Sequence, residues 1–108
     1  MAISAEVPVA EIVQRLLAAG EPEKVILFGS RARERSRPGS DYDLLIIQRS
    51  KNPRHARAGA YYRALSDLPV EFDIVVFTPE EVADWQAVPQ AFITTATREG
   101  RTLYERES

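Results

Sequence analysis

The sequence predicts an α/β domain of the α+β kind, a small mixed β-sheet flanked by helices. Two observations predict it. Short apolar runs of strand length alternate with segments whose apolar residues recur at helical spacing, giving the order α-β-α-β-α-β-α-α and a short closing strand. The 108 residues fit one compact domain, taken here as 1–108, and suffice to bury a core.

Val9, Ile12, Val13, Leu16 and Leu17 follow the i, i+3, i+4, i+7, i+8 spacing of an amphipathic helix. Pro8 suits its first turn, and Gly20 with Pro22 closes it. KVILF at 24–28 is short, apolar and partly β-branched, the mark of a buried strand. Residues 29–40 are polar, rich in Arg and broken at Pro38-Gly39, and read as a short helix or loop. DLLIIQ at 43–48 is apolar on both faces apart from its ends, which puts it in mid-sheet with cover on both sides. A helical stretch begins at Asn52-Pro53, and within it Tyr61, Ala64, Leu65 and Leu68 share one face. VEFDIVVF at 70–77 is the third strand. Thr78-Pro79-Glu80-Glu81 then has Thr as N-cap, Pro at N1 and Glu at N3, a strong helix start. Val82 and Trp85 are expected to face inward from that helix. A last helix runs from 89 to 98 and stops at Gly100, and 101–105 adds a short edge strand.

Composition narrows the function classes. With 44% hydrophobic and 28% charged residues the chain is globular rather than disordered. A net charge of −2 gives no general attraction to nucleic acid or anionic membranes, so any polyanion site must be local. The absence of cysteine excludes disulfides and thiolate metal sites and fits an intracellular setting. MAISAEVPVA has neither the basic head nor the apolar run of a signal peptide, and no stretch approaches the ~18 apolar residues that span a bilayer. The expected location is cytoplasmic, with no membrane partner.

Three acids stand out by position. Asp41 and Asp43 open the second strand and, two apart in extended chain, project to one face. Asp73 lies among Phe72, Ile74, Val75 and Val76, where a carboxylate is costly unless its charge is compensated. If the second and third strands are neighbours, the three converge, and a divalent cation is the usual relief of their repulsion. All-oxygen ligands favour Mg²⁺ or Mn²⁺ over zinc. The turn Phe28-Gly29-Ser30 supplies the other half: glycine lets backbone N–H groups approach a phosphate, and the Ser30 hydroxyl adds a donor. Arg31, Arg33, Arg35 and Arg37 follow, enough guanidinium to neutralise a polyphosphate. Together these are the equipment of phosphoryl or nucleotidyl transfer.

Each feature has a plainer reading. Gly29-Ser30 alone is an ordinary strand-to-helix turn, and Asp41 could merely belong to a turn. The arginines are more often a solvated face, with one or two meeting phosphate. His55 has no expected role, Tyr61 fits the core better than the surface, and Tyr42 is expected to point into packing, away from the two aspartates. Asp73 is the hardest to dismiss, because interior strand positions disfavour aspartate.

Gly29-Ser30, ten intervening residues and Asp41-Tyr42-Asp43 resemble the Gly-Ser…Asp-x-Asp signature of the DNA polymerase β-type nucleotidyltransferases. The run LFGSRARERSRPGSDYDLLII is similar to the minimal nucleotidyltransferase (MNT) proteins, single-domain members of about this length, so the resemblance covers essentially the whole chain. Asp73 in EFDIVV falls where that family carries its third acid, and the closing REGRTLYER also fits. The chain departs at Glu34, where the family pattern has glycine; this acid either lies near the triphosphate path or points to solvent.

The resemblance implies a polymerase β-like fold and transfer of a nucleoside monophosphate from an NTP to a hydroxyl, with pyrophosphate released. It implies that Asp41 and Asp43 hold the metals, two Mg²⁺ ions, and that Asp73 helps hold the second and acts as general base. It implies that Gly29 and Ser30 grip the terminal phosphates, with Arg31 and Arg33 beside them. MNT proteins are typically paired with a helical HEPN toxin, which they neutralise as antitoxins and can adenylylate on tyrosine. The expected donor is therefore ATP and the expected acceptor a HEPN-type partner. The alternatives are an MNT-fold antitoxin acting by binding alone, and a small-molecule nucleotidyltransferase whose acceptor pocket needs another chain or a dimer.

Overall fold

The computed structural model describes residues 8–28, 42–85 and 92–106. Helix α1 spans Val9–Ala19 and strand β1 Lys24–Phe28; strand β2 is Tyr42–Ile47. A 3₁₀ turn at Arg54–Ala56 leads into helix α2, Gly59–Leu65, and then strand β3, Phe72–Phe77. Helices α3 (Pro79–Trp85) and α4 (Phe92–Glu99) precede strand β4, Arg101–Glu105.

The strands form one four-stranded sheet in the order β3-β2-β1-β4. β1 is antiparallel to both β2 and β4, whereas β2 and β3 run parallel, so the sheet is mixed. β1 and β2 occupy its middle, which explains their unbroken apolar sequences: each face needs its own cover. On one face Ile12 and Leu16 of α1 and Tyr61 and Leu65 of α2 pack on Val25, Leu27, Leu44, Ile46, Ile74 and Val76. On the other, Val82 of α3 and Ala96 of α4 pack on Ile26, Leu45 and Phe77. The alternation of side chains along each strand sorts these residues between the two layers.

Several expectations shift. Leu17 is 40% exposed, because α1 buries the seam of Ile12 and Leu16 and leaves its next neighbour outside. Trp85, expected to face inward, is 43% exposed. It is the last residue of a seven-residue helix whose buried residue is Val82. β2 starts one residue earlier than expected, at Tyr42, and β3 two residues later, at Phe72. The final helix is described over Phe92–Glu99, and 89–91 of its expected span lie outside the described residues.

The capping box forms as its spacing predicts: Glu81 N–H donates to Thr78 Oγ1 at 3.2 Å, and Thr78 N–H donates to Glu81 Oε1 at 2.9 Å. Arg57 joins it, donating to Glu81 Oε1 at 2.7 Å, to the Asn52 carbonyl at 2.8 Å and to the Val76 carbonyl at 3.3 Å. No helix among the described residues is long and apolar enough to cross a membrane.

Candidate active site

Asp43 and Asp73 are the second residues of β2 and β3, and the parallel register sets them directly side by side. Neighbouring strands lie roughly 4.8 Å apart, and register partners project to the same face. That face is the one covered by α3 and α4: Asp43 is followed at alternate positions by Leu45 and Ile47, and Asp73 by Val75 and Phe77. Tyr42 takes the opposite face, as expected, buried and stacked at 5.4 Å on Phe72.

The strand that precedes the other half of the sequence signature ends beside these acids. β1 is antiparallel to β2 with Phe28 opposite Asp43, so the strand that ends in Phe28 delivers the chain to this end of the sheet. Gly29 is bonded to Phe28 and Asp41 to Tyr42. Gly29, Ser30, Arg31, Arg33, Glu34 and Asp41 themselves lie outside the described residues.

Asp73 is exposed, near the start of its strand rather than deep within it, and Asp43 is half-buried. Desolvation is therefore not what makes Asp73 unusual. Proximity is: two carboxylates on adjacent strands repel each other wherever solvent screens them incompletely. Side-by-side oxygen donors without a nearby imidazole or thiolate suit a hard cation such as Mg²⁺. Among the described residues no third His, Cys, Asp or Glu stands with them, and the expected third carboxylate is Asp41. His55 sits exposed in the 3₁₀ turn that follows β2, whose neighbour Arg54 lies over the Phe77 ring at 4.6 Å. That is the other end of the parallel strands.

Sequence reasoning missed the support behind Asp73. Among the described residues β3 is an edge strand, and the outward groups of Ile74, the residue after Asp73, meet a side chain. Ile74 N–H donates to Tyr62 Oη at 2.8 Å, and the Tyr62 hydroxyl faces the Ile74 carbonyl oxygen at 3.4 Å. Nothing in the spacing of Tyr62 signals this, since it lies on the exposed side of α2.

The family model described as Polymerase beta, Nucleotidyltransferase matches residues 10–108. The chain belongs to the polymerase β nucleotidyltransferase family. Solved structures agree with the family in fold. One neighbour is a crystal structure of a toxin–antitoxin with AMP-PNP, 19% identical, with a TM-score of 0.66 over 94% of this chain and 76% of that one. Another is a mutant of the toxin–antitoxin MntA-HpeT with two aspartates changed to glutamate, 17% identical, with a TM-score of 0.62 over 94% of this chain and 75% of that one. No curated protein matches the chain.

Proposed function

We propose that this nucleotidyltransferase domain, 1–108, moves AMP from ATP to a hydroxyl on a HEPN-type toxin and so acts as its antitoxin. The observation that carries the reading is the pairing of Asp43 with Asp73, at the sheet end where Phe28 leads into Gly29-Ser30. In this reading Asp41, Asp43 and Asp73 hold Mg²⁺, and Gly29, Ser30, Arg31 and Arg33 bind the phosphates. Bound Mg²⁺ neutralises the polyphosphate and stabilises charge on the attacking and leaving oxygens. The acceptor oxygen bonds to the α-phosphorus, the bond to the β-phosphate oxygen breaks, and pyrophosphate leaves. Asp73, the most solvent-open of the described pair, accepts the hydroxyl proton.

ATP as donor is supported by the AMP-PNP bound in one structural neighbour. The two aspartates altered in the other stand two positions apart, the spacing of Asp41 and Asp43 here. The test is the intact mass of a HEPN-type protein encoded beside this chain, after co-expression with it. A gain equal to one or more AMP groups, lost with Asp43→Asn, is expected. A stable complex that neutralises the toxin with no change in mass would establish the binding-only antitoxin instead.

A further inference from the structure

The Tyr62 hydroxyl lies next to the candidate site without belonging to it. β3 is hydrogen-bonded to β2 through one edge only: Tyr42 N–H donates to the Glu71 carbonyl at 3.0 Å, and Gln48 N–H to the Phe77 carbonyl at 2.9 Å. The alternate residues Ile74 and Val76 turn their peptide groups outward, where no strand among the described residues meets them. Two side chains do. Arg57 binds the Val76 carbonyl, and Tyr62 takes the Ile74 N–H. An unpaired edge frays most easily at its ends, and Asp73 stands at the end held by Tyr62.

We propose that Tyr62 is a positioning residue for metal binding: its hydroxyl fixes the peptide after Asp73 and so keeps that carboxylate beside Asp43. The proposal rests on the reading of these aspartates as metal ligands. Tyr62 is 41% exposed, so its role is not that of a core side chain, and Tyr62→Phe keeps the ring while deleting the bond. Its neighbour Tyr61 provides the contrast. The Tyr61 hydroxyl donates to the Gln48 side-chain carbonyl oxygen, beyond the far end of β2, and the residue is buried.

The test is a Mn²⁺ titration, followed by the EPR signal of free Mn²⁺, with amide exchange at Ile74 read alongside. Mn²⁺ stands in for Mg²⁺ at oxygen sites. Tyr62→Phe is expected to weaken Mn²⁺ binding about tenfold, as loss of a group that orients a metal ligand does. The Ile74 amide should exchange faster in the same protein. Tyr61→Phe should lower the melting temperature yet leave Mn²⁺ affinity as it is. Wild-type affinity in Tyr62→Phe, with binding lost in Asp73→Asn, would overturn the positioning role alone. Equal weakening in Tyr61→Phe and Tyr62→Phe would also overturn it, as a general structural effect. Undiminished binding in Asp73→Asn would overturn the metal-site reading and the role of Tyr62 together.

Discussion

Glu81 ties a turn, the end of β3 and the start of α3 together. It receives the Arg57 guanidinium, approaches Arg54 at 3.6 Å and closes the cap of α3 with Thr78. The Arg57 hydrogen bond, opposed by burial and aided by the Thr78 amide, pulls its pKa down from an ordinary value of 4.5 to about 2. Because the folded value is the lower one, this stabilisation is complete above about pH 4.5 and is lost as pH falls toward 2. Chemical denaturation across that window should therefore show the wild type losing more stability than Glu81→Gln, which at neutral pH is the weaker protein by about 1 kcal/mol. An identical acid profile for the two would remove Glu81 from the account. The sequence made the cap legible through its Thr-Pro-Glu-Glu spacing. It did not show Arg57, which comes from a distant turn and is brought to Glu81 only by the packing of that turn on the end of β3.

Elements were legible where a local pattern decided them. β1 and β4 match their expected limits residue for residue, bounded by Phe28-Gly29 on one side and Gly100 on the other. β3 begins later than its apolar run suggests because Val70 packs against the core outside the ladder. Trp85 went astray because helical periodicity gives a direction but not the extent of the surface that meets it. Gly100 shows tertiary packing deciding a residue that looks merely like a helix stop. A Cβ there would collide with the Ala96 carbonyl and Ile26 Cγ2 and come within 3.0 Å of the Leu27 carbonyl oxygen. The joint between α4 and β4 thus lies hard against β1, and the backbone leaves the helix where no side chain fits. Gly100→Ala should cost about 1–3 kcal/mol as an overpacking change. Thermal unfolding that matches wild type would show that the joint has room.

At the scale of the whole molecule, topology gathers Phe28, Asp43 and Asp73 at one end of the sheet. The antiparallel pairing of β1 with β2 and the parallel pairing of β2 with β3 bring a strand end and two strand starts together, from parts of the chain far apart in sequence. Phe28 meets Asp43, and Asp43 meets Asp73. The sequence made the acids and the glycine turn visible as types and spacings, and it named their convergence as a condition: that the second and third strands be neighbours. The sheet meets that condition. What no spacing could reveal was that Asp73 stands exposed at the start of a strand whose outer edge, among the described residues, is met by side chains from α2 and the turn before it. The central claim is that these aspartates make the domain an Mg²⁺-dependent nucleotidyltransferase. Its most direct test is transfer of label from α-³²P-ATP to the co-purified partner by wild type and Asp43→Asn, with and without Mg²⁺. Label that needs Mg²⁺ and falls on the order of 100-fold or more in Asp43→Asn is expected. Labelling that persists in Asp43→Asn at the wild-type rate would contradict it.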